Sequence, residues 1–242
     1  VHLGGDEVTA CWAHAPRTAA WMRANGFARR FDNATDEPPR RPDVVVDGYL
    51  YHIARLQARY EHDVLTYVVD TLHRTPVVWE EVFGNAHHAA ADDDSAPPPL
   101  PSRTIVHVWQ NASLAAAAVR AGHRVVLSDS FYVDRQNPIC VGANCTTRWM
   151  YTLTWNDMYN APLLPEGGST AQSSSDGSST AAAAAADALL YGGEVVSFGE
   201  STDASNVDDR IWARGIVVAE RLWSGGVTYA APPELVQRRF AA

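Results

Sequence analysis

Short apolar runs alternate with amphipathic or alanine-rich segments along most of this 242-residue chain. Five of the runs have the length and β-branched content of buried strands. They cover residues 1–5, 76–80, 104–109, 124–128 and 190–198. Helical spacing of apolar residues predicts helices over residues 16–25, 49–73, 114–121, 206–223 and 234–240. Strands that alternate with helices build βαβ units, so we predict an α/β fold with a parallel sheet.

Carboxylates and aromatic residues follow the predicted strands, at the edge where a (β/α)8 barrel carries its chemistry. Five strands do not close an eight-stranded barrel, so we expect three strands to precede residue 1. Residues 1–242 would then be one partial TIM-barrel domain, which we expect to fold poorly by itself because its sheet edges are unpaired. Residues 29–42 and 86–102 read as loops, and residues 166–186 as a low-complexity insertion.

Composition excludes some classes of function. The net charge of −9 and the isoelectric point near 5.4 argue against nucleic acid as a partner, because such proteins cluster Lys and Arg. The acidic balance is typical of a solvated surface. No stretch approaches the roughly 18 consecutive apolar residues of a membrane-spanning helix.

Cysteines and glycosylation sequons favour the secretory pathway. The chain has three cysteines, and the spacing of Cys140 and Cys145 suits a disulfide that closes a small loop, which leaves Cys11 over. Asn-x-Ser/Thr sequons occur at Asn33, Asn111 and Asn144. Together these features predict a secreted or lysosomal glycoprotein.

Two adjacent carboxylates, Asp6 and Glu7, follow the glycine pair that ends the first predicted strand. Neighbouring carboxylates repel each other, which can separate an acid from an anion at one pH, so Glu7 is the candidate general acid. The alternatives are a structural acidic pair and a metal site that includes His2. On a strand His2 and Glu7 point to opposite faces, and the chain has no His or Cys cluster with ligand spacing, so no metal and no cofactor is expected.

Aromatic residues form a second candidate site at or just past the ends of successive strands: Trp79, Trp109 and Tyr132. Sugar rings pack their C–H faces on aromatic rings while their hydroxyls bind polar groups, so this pattern favours a carbohydrate pocket over simple core packing. Asp134 and Glu200 are further candidates because Tyr132 and Phe198 precede them. Arg135 either meets an anionic group or is a solvated loop residue.

Five collinear motifs make the chain resemble the second half of the catalytic domain of glycoside hydrolase family 20, the β-N-acetylhexosaminidases, and their lysosomal branch above all. The motifs lie at residues 1–8 with 11–12, 77–83, 108–109 with 127–134, 155–159 with 192–200, and 210–212 with 219–224.

The resemblance implies a retaining mechanism in which the 2-acetamido group of the substrate is the nucleophile. It implies that Glu7 protonates the leaving oxygen and then activates water, while Asp6 holds the acetamido N–H. Tyr132 would donate to the acetamido oxygen. Trp79 and Trp109 would wall the N-acetyl group. The outer hydroxyls would be bound by Asp134 and Glu200, with Phe198 under the sugar.

Departures from the family pattern leave alternatives open. Phe198 stands where the family usually has Trp, and Glu80 where Gln is common. The sugar-binding Arg, an Asp/His pair and the partner of Cys11 belong to earlier strands in that family. The expected substrates are glycans that end in β-linked N-acetylglucosamine or N-acetylgalactosamine. The alternative is an inactive or truncated relative that binds sugar or serves as the partner subunit of a dimer.

Overall fold

The structure is a computed structural model that describes residues 1–8, 10–39, 42–92, 99–135, 153–164, 188–199 and 202–224. The chain divides into two compact units, Val1–Val106 and His107–Ala242. Several predicted features lie outside the described residues: Cys140, Cys145, the sequon at Asn144, the insertion at 166–186, Glu200 and the helix at 234–240.

Ten elements or parts of elements lie in the described residues of the first unit. In chain order they are α1 (Cys11–His14), α2 (Pro16–Ala24), β1 (Ala28–Arg30), β2 (Val44–Val46), β3 (Tyr49–Tyr51), α3 (Ile53–Thr66), a π-helical turn (Tyr67–Thr71), β4 (Val77–Trp79), α4 (Glu80–Asp92) and the start of β5 (Ile105–Val108). The start of the chain pairs in parallel with β4 through a bridge between His2 and Val77. Residues 1–3 therefore run along β4, but the predicted strand over 1–5 is shorter in the structure, because Gly4 and Gly5 adopt positive φ angles and begin a turn.

Antiparallel pairing of β1, β3 and β2 forms a small second sheet in the first unit, which the sequence analysis did not predict. Its hairpin turns at Asp47 and Gly48, whose φ angles of 50° and 73° are those of a type I′ turn. The prediction of a helix over 49–73 is therefore wrong at its start, where residues 49–51 are a strand. Val44 and Val46 of β2 and Tyr49 of β3 pack against a core of Ala13, Ala19, Met22, Tyr51 and Ile53.

Helix α4 corrects a second prediction. Residues 86–102 were expected to be a loop because Ala, Asp and Pro dominate them, yet α4 continues through Asp92. Alanine is the strongest helix former, so the alanines here extend the helix that Glu80 and Glu81 begin.

The second unit contains the end of β5 followed by α5 (Ala112–Arg120), β6 (Arg124–Leu127), α6 (Trp155–Tyr159), β7 (Leu190–Gly193) and α7 (Val207–Ser224). Within it, β6 pairs in parallel with β7. Parallel pairing in each unit, of the first segment with β4 and of β6 with β7, between helices, confirms the α/β prediction. Among the described residues no helix is both long enough and apolar enough to span a membrane.

Helix ends in the second unit follow from local sequence. The Asn111 side chain accepts a hydrogen bond from the Ser113 N–H at 3.0 Å and caps α5. Thr154 and Asp157 form a capping box at the start of α6, inside a stretch that the sequence analysis read as irregular. Tyr159 and Val217 pack together with Trp155, which joins α6 to α7.

Candidate active site

The turn that carries Asp6 and Glu7 is fixed by backbone geometry. Gly4 and Gly5 adopt φ angles of 75° and 102°, and Glu7 has a φ of 49°. A non-glycine residue in this region costs about 1–2 kcal/mol, so Glu7 is held in a strained conformation by its surroundings. Asp6 and Glu7 are both exposed, directly after the end of a parallel strand.

Trp79 is tied to the same turn. The backbone N–H of Trp79 donates to the Gly4 carbonyl at 3.0 Å, and the indole ring lies 4.7 Å from the His2 ring, centre to centre. His2 Nδ1 accepts the Gly4 N–H at 3.1 Å, so the imidazole must be neutral at this nitrogen. Burial is the main reason that the pKa of His2 is lowered, and the charged N-terminus adds to the effect while Asp6 opposes it. The neutral ring therefore keeps its bond to the turn at pH 7.

A buried polar pair lies beneath the turn. Gln57 Nε2 donates both to the Gly5 carbonyl at 3.1 Å and to Glu61 Oε1 at 2.6 Å. Gln57 is 2% exposed and Glu61 8% exposed. Neither residue was predicted as part of the site, because two polar residues four positions apart on a helix usually lie on its solvent-exposed face. The signal that could have found them is their register with Ile53 and Leu65, which are buried on the same face of α3.

A cavity of about 200 Å³ opens beside this pair in the first unit. Its lining is mostly apolar, with Glu61 and Gln57 as the polar contributors and Trp12 and Tyr60 as the aromatic ones. Burial is the main cause that raises the pKa of Glu61 to about 7; the nearby Glu81 also raises it, and the Gln57 hydrogen bond lowers it. Glu61 is therefore protonated over most of the acidic range.

Aromatic side chains meet in the second unit. The Tyr132 ring lies 6.5 Å from the Trp109 ring and 6.1 Å from the Phe198 ring, with which it is stacked. Tyr132 follows β6, and its backbone pairs in parallel with Val196, which follows β7. Of the three aromatics predicted from their positions after strands, Trp109 and Tyr132 lie together here, whereas Trp79 packs on His2 in the first unit. Phe198, singled out as the residue near Glu200, is the third member of this group.

Tyr132 is suited to donate a hydrogen bond. Burial chiefly raises its pKa to about 12, and the carboxylates of Asp134 and Asp129 add to this, while Ser128 and Arg135 oppose it. The phenol therefore stays protonated at any physiological pH. Arg135 lies with its guanidinium 4.6 Å from the centre of the Tyr132 ring, in a cation–π contact. This contact places Arg135 against the aromatic group and not in open solvent.

Asp134 organises the loop that carries Phe198. Its Oδ2 accepts the Phe198 N–H at 2.8 Å, and the residue is 6% exposed. Phe198 is 48% exposed, so its ring presents an open apolar face. The other carboxylate predicted for this site, Glu200, lies outside the described residues.

An unpredicted ionisable pair also occurs in the second unit, where His107 Nε2 lies 3.2 Å from Glu194 Oε1. Burial raises the pKa of Glu194. Across the described ranges, no group of three or more His, Cys, Asp or Glu side chains is arranged to hold a metal ion.

Comparisons with known proteins match most of the chain. The model of the glycosyl hydrolase family 20 catalytic domain matches residues 1–226. A β-hexosaminidase subunit beta from Entamoeba histolytica is 32% identical over 235 residues, which are 93% of this chain and 32% of that protein. The human β-hexosaminidase subunit beta is 29% identical and matches 93% of this chain and 30% of its own length. The chain thus spans about a third of these curated relatives.

Solved structures share the fold. A Flavobacterium johnsoniae chitobiase superposes with a TM-score of 0.60 at 19% identity, covering 99% of this chain and 28% of that one. A family 20 exo-β-N-acetylglucosaminidase from Vibrio harveyi, in complex with N-acetylglucosamine, gives 0.58 at 19% identity and covers 100% of this chain and 30% of that one. Because the family model matches most of the chain, from the strand before Asp6 and Glu7 to the end of α7, the chain belongs to glycosyl hydrolase family 20.

Proposed function

We propose that the protein carrying this chain is a β-N-acetylhexosaminidase that removes terminal N-acetylglucosamine or N-acetylgalactosamine, and that its parallel strands are part of a (β/α)8 barrel. The observation that carries the proposal is the strained turn with Asp6 and Glu7, directly after a strand, in a chain of family 20. The names of the relatives, β-hexosaminidases, support this substrate class.

In the proposed mechanism the acetamido oxygen of the substrate attacks the anomeric carbon. The glycosidic bond breaks as Glu7 gives its proton to the leaving oxygen. An oxazolinium intermediate results, and Glu7, now a carboxylate, takes a proton from the water that opens it. Asp6 accepts the acetamido N–H and stabilises the positive charge that develops on nitrogen. Trp79, half-buried beside the turn, would wall the acetamido group and hold it toward the reacting carbon.

The second unit would supply recognition. Tyr132, kept protonated, would donate to the acetamido oxygen. Trp109 would complete the wall around the N-acetyl methyl group. Phe198 would lie under the sugar ring with its exposed face, and Asp134 and Glu200 would bind outer hydroxyls. These roles require neither a metal nor another cofactor.

A lysosomal or secreted location belongs to the proposal. Asn33 and Asn111, the two sequon positions within the described residues, are both exposed, as glycosylation requires. Cys11 presents an exposed thiol. Several relatives are named as alpha or beta subunits, which supports a dimer of this protein as well.

The test is hydrolysis of an aryl N-acetyl-β-glucosaminide by the full-length protein. Glu7→Gln keeps the size of the side chain but has no acid proton to give, so we expect kcat to fall by about 10²–10⁴-fold. Asp6→Asn should also lower kcat. Glu37→Gln is the matched control, because Glu37 is an exposed glutamate of the same unit, and its kcat should equal that of the wild type.

Two results would contradict the proposal. Glu7→Gln could retain wild-type kcat, or the wild type could bind N-acetylglucosamine without turnover. The second result would favour the inactive sugar-binding relative.

A further inference from the structure

The turn that carries the carboxylates has one side-chain hydrogen bond to its backbone from α3. The extended first segment ends with the Gly4 carbonyl bound to the Trp79 N–H, and the next carbonyl, that of Gly5, accepts from Gln57 Nε2. Asp6 follows immediately. The Gln57 amide has two hydrogens, and the second goes to Glu61 Oε1. Glu61 therefore fixes the orientation of the amide that holds Gly5.

Gly5 is packed without spare room against the same pair. A Cβ built on Gly5 would lie 3.2 Å from Glu61 Oε1 and 2.2 Å from Val82 Cγ2. The Gly5 backbone is thus in contact with α3 on one side and α4 on the other. A shift of the Glu61 carboxyl would be transmitted to the Gly5 peptide, because a close-packed contact leaves no slack to absorb it.

The ionised form of Glu61 is poorly accommodated. Glu61 Oε2 is buried and has no hydrogen-bond partner among the described residues. The charged group that faces Glu61 from α4 is the carboxylate Glu81, and Tyr60 of α3 lines the same cavity. On the turn, the side chains that follow Gly5 are those of Asp6 and Glu7. No cation offsets a negative charge at Glu61 in this set, so ionisation would strain the arrangement.

We propose that Gln57 and Glu61 are positioning residues for the acid pair: Glu61 orients the Gln57 amide, Gln57 holds the Gly5 carbonyl, and the place that the Glu61 carboxyl takes when neutral lets Asp6 and Glu7 keep their geometry. This inference rests on the proposed function. Neither residue touches the substrate. Ionisation of Glu61 shifts its carboxylate away from Glu81, and the close contact with Gly5 passes this shift to the turn, which lowers kcat. KM changes less, because most of the groups proposed to bind the sugar lie in the second unit.

The first test follows the turn directly by NMR of glycine-labelled full chain as pH rises. The Gly5 amide resonance should titrate with the pKa of Glu61, about 7, in the wild type. In Glu61→Gln it should lose this titration. Asp63→Asn is the matched control, because Asp63 lies two residues along α3, is exposed and pairs with Arg59 at 3.0 Å. That variant should titrate like the wild type.

The second test measures kcat and KM against pH. One unit above the pKa of a group its ionised form outnumbers the neutral form about tenfold. Glu61→Gln should therefore match wild-type kcat near pH 5 and exceed it about tenfold near pH 8, with Asp63→Asn following the wild type. Gln57→Leu, which removes both hydrogen bonds, should lower kcat by about tenfold or more at every pH, with KM little changed.

The outcomes separate this inference from the proposed function. An inactive wild type, or an active Glu7→Gln, refutes the function, while the NMR titration still decides whether Glu61 governs the turn. An active wild type with an inactive Glu7→Gln variant, but with Glu61→Gln and Gln57→Leu indistinguishable from wild type at every pH, overturns the positioning role. A Gly5 resonance that titrates identically in Glu61→Gln overturns it as well.

Discussion

At the scale of single residues, the candidate site depends on backbone conformations that few side chains tolerate. Gly5 combines a φ of 102° with neighbours on two sides, whereas Gly26, with a φ of 78°, has no atom within 4 Å of the position of an added Cβ. Both glycines have a positive φ, but only Gly5 is crowded. Substitutions at the two positions therefore distinguish the free-energy cost of the backbone conformation from that of a steric clash.

Gly5→Ala should therefore destabilise the protein far more than Gly26→Ala. The first adds a methyl group where Val82 already stands, so we expect a loss of roughly 2–4 kcal/mol in the free energy of unfolding. The second adds only backbone strain, about 1 kcal/mol. Denaturant midpoints of both variants measure the difference. Equal midpoints would show that Val82 and α4 yield at no cost, contrary to the tight packing described for Gly5.

Local signals in the sequence made these candidate site residues recognisable. Asp6 and Glu7 are adjacent to the glycine pair that forms their turn, and Tyr132 and Phe198 each follow a strand. Gln57 and Glu61 were not predictable in this way. Their role depends on which side of α3 meets the turn, and that is decided by the packing of distant segments.

At the scale of elements, α3 shows how a periodic pattern can be misassigned. The sequence analysis placed its apolar face on residues at helical spacing: Leu50, Ile53, Leu56, Tyr60, Val64 and Val68. Of these, Leu50, Ile53 and Val68 are buried, but Tyr60 is 61% exposed. The buried residues of α3 are Ile53, Gln57, Ala58, Glu61 and Leu65, and two of them are polar. The hydrogen bonds of Gln57 to Gly5 and Glu61 satisfy polar groups that hydropathy alone assigns to solvent.

Turn chemistry would have located the small antiparallel sheet. The Asp47-Gly48 pair between two apolar runs is a strong hairpin signal, but the helical spacing that starts at Tyr49 masked it. The parallel strands were easier to predict, because each is a short β-branched run between helices.

The cap of α5 provides a prediction for a single element. Asn111→Ala removes the acceptor for the Ser113 N–H and should lower the free energy of unfolding by about 1 kcal/mol. Asn111 is also a sequon, so loss of a glycan has to be separated from loss of the cap. Ser113→Ala abolishes the sequon yet keeps the backbone N–H and its bond to Asn111. Thermal unfolding of both variants should show a lower midpoint for Asn111→Ala, and equal midpoints would contradict the cap.

At the scale of the whole molecule, the proposed chemistry places the nucleophile on the substrate and the acid on the protein. The described part of the first unit carries the candidate acid pair and Trp79, and that of the second carries the aromatic group around Tyr132. The sequence predicted both sets. It did not show how the complete fold encloses a sugar, because this chain spans about a third of its curated relatives.

A comparison of two substrates tests whether the nucleophile belongs to the substrate. The full-length protein should hydrolyse an aryl N-acetyl-β-glucosaminide at least about a hundredfold faster than the aryl β-glucoside, which lacks the acetamido group, because the intramolecular nucleophile is lost. Tyr132→Phe should lower the ratio of the two hydrolysis rates, because it slows only the substrate that carries the acetamido group. Comparable kcat/KM values for both glycosides would contradict substrate assistance and favour an enzymic nucleophile.

The close contact between Gly5 and Val82 has a consequence for how such sequences can diverge. A relative that acquired a side chain at position 5 would clash with Val82 unless position 82 had first become smaller. The two positions, on separate segments of the chain, should therefore covary, with a non-glycine residue at 5 found only beside Ala or Gly at 82. The segment that carries Asp6 and Glu7 would then have evolved together with α4, although α4 has no proposed part in the reaction.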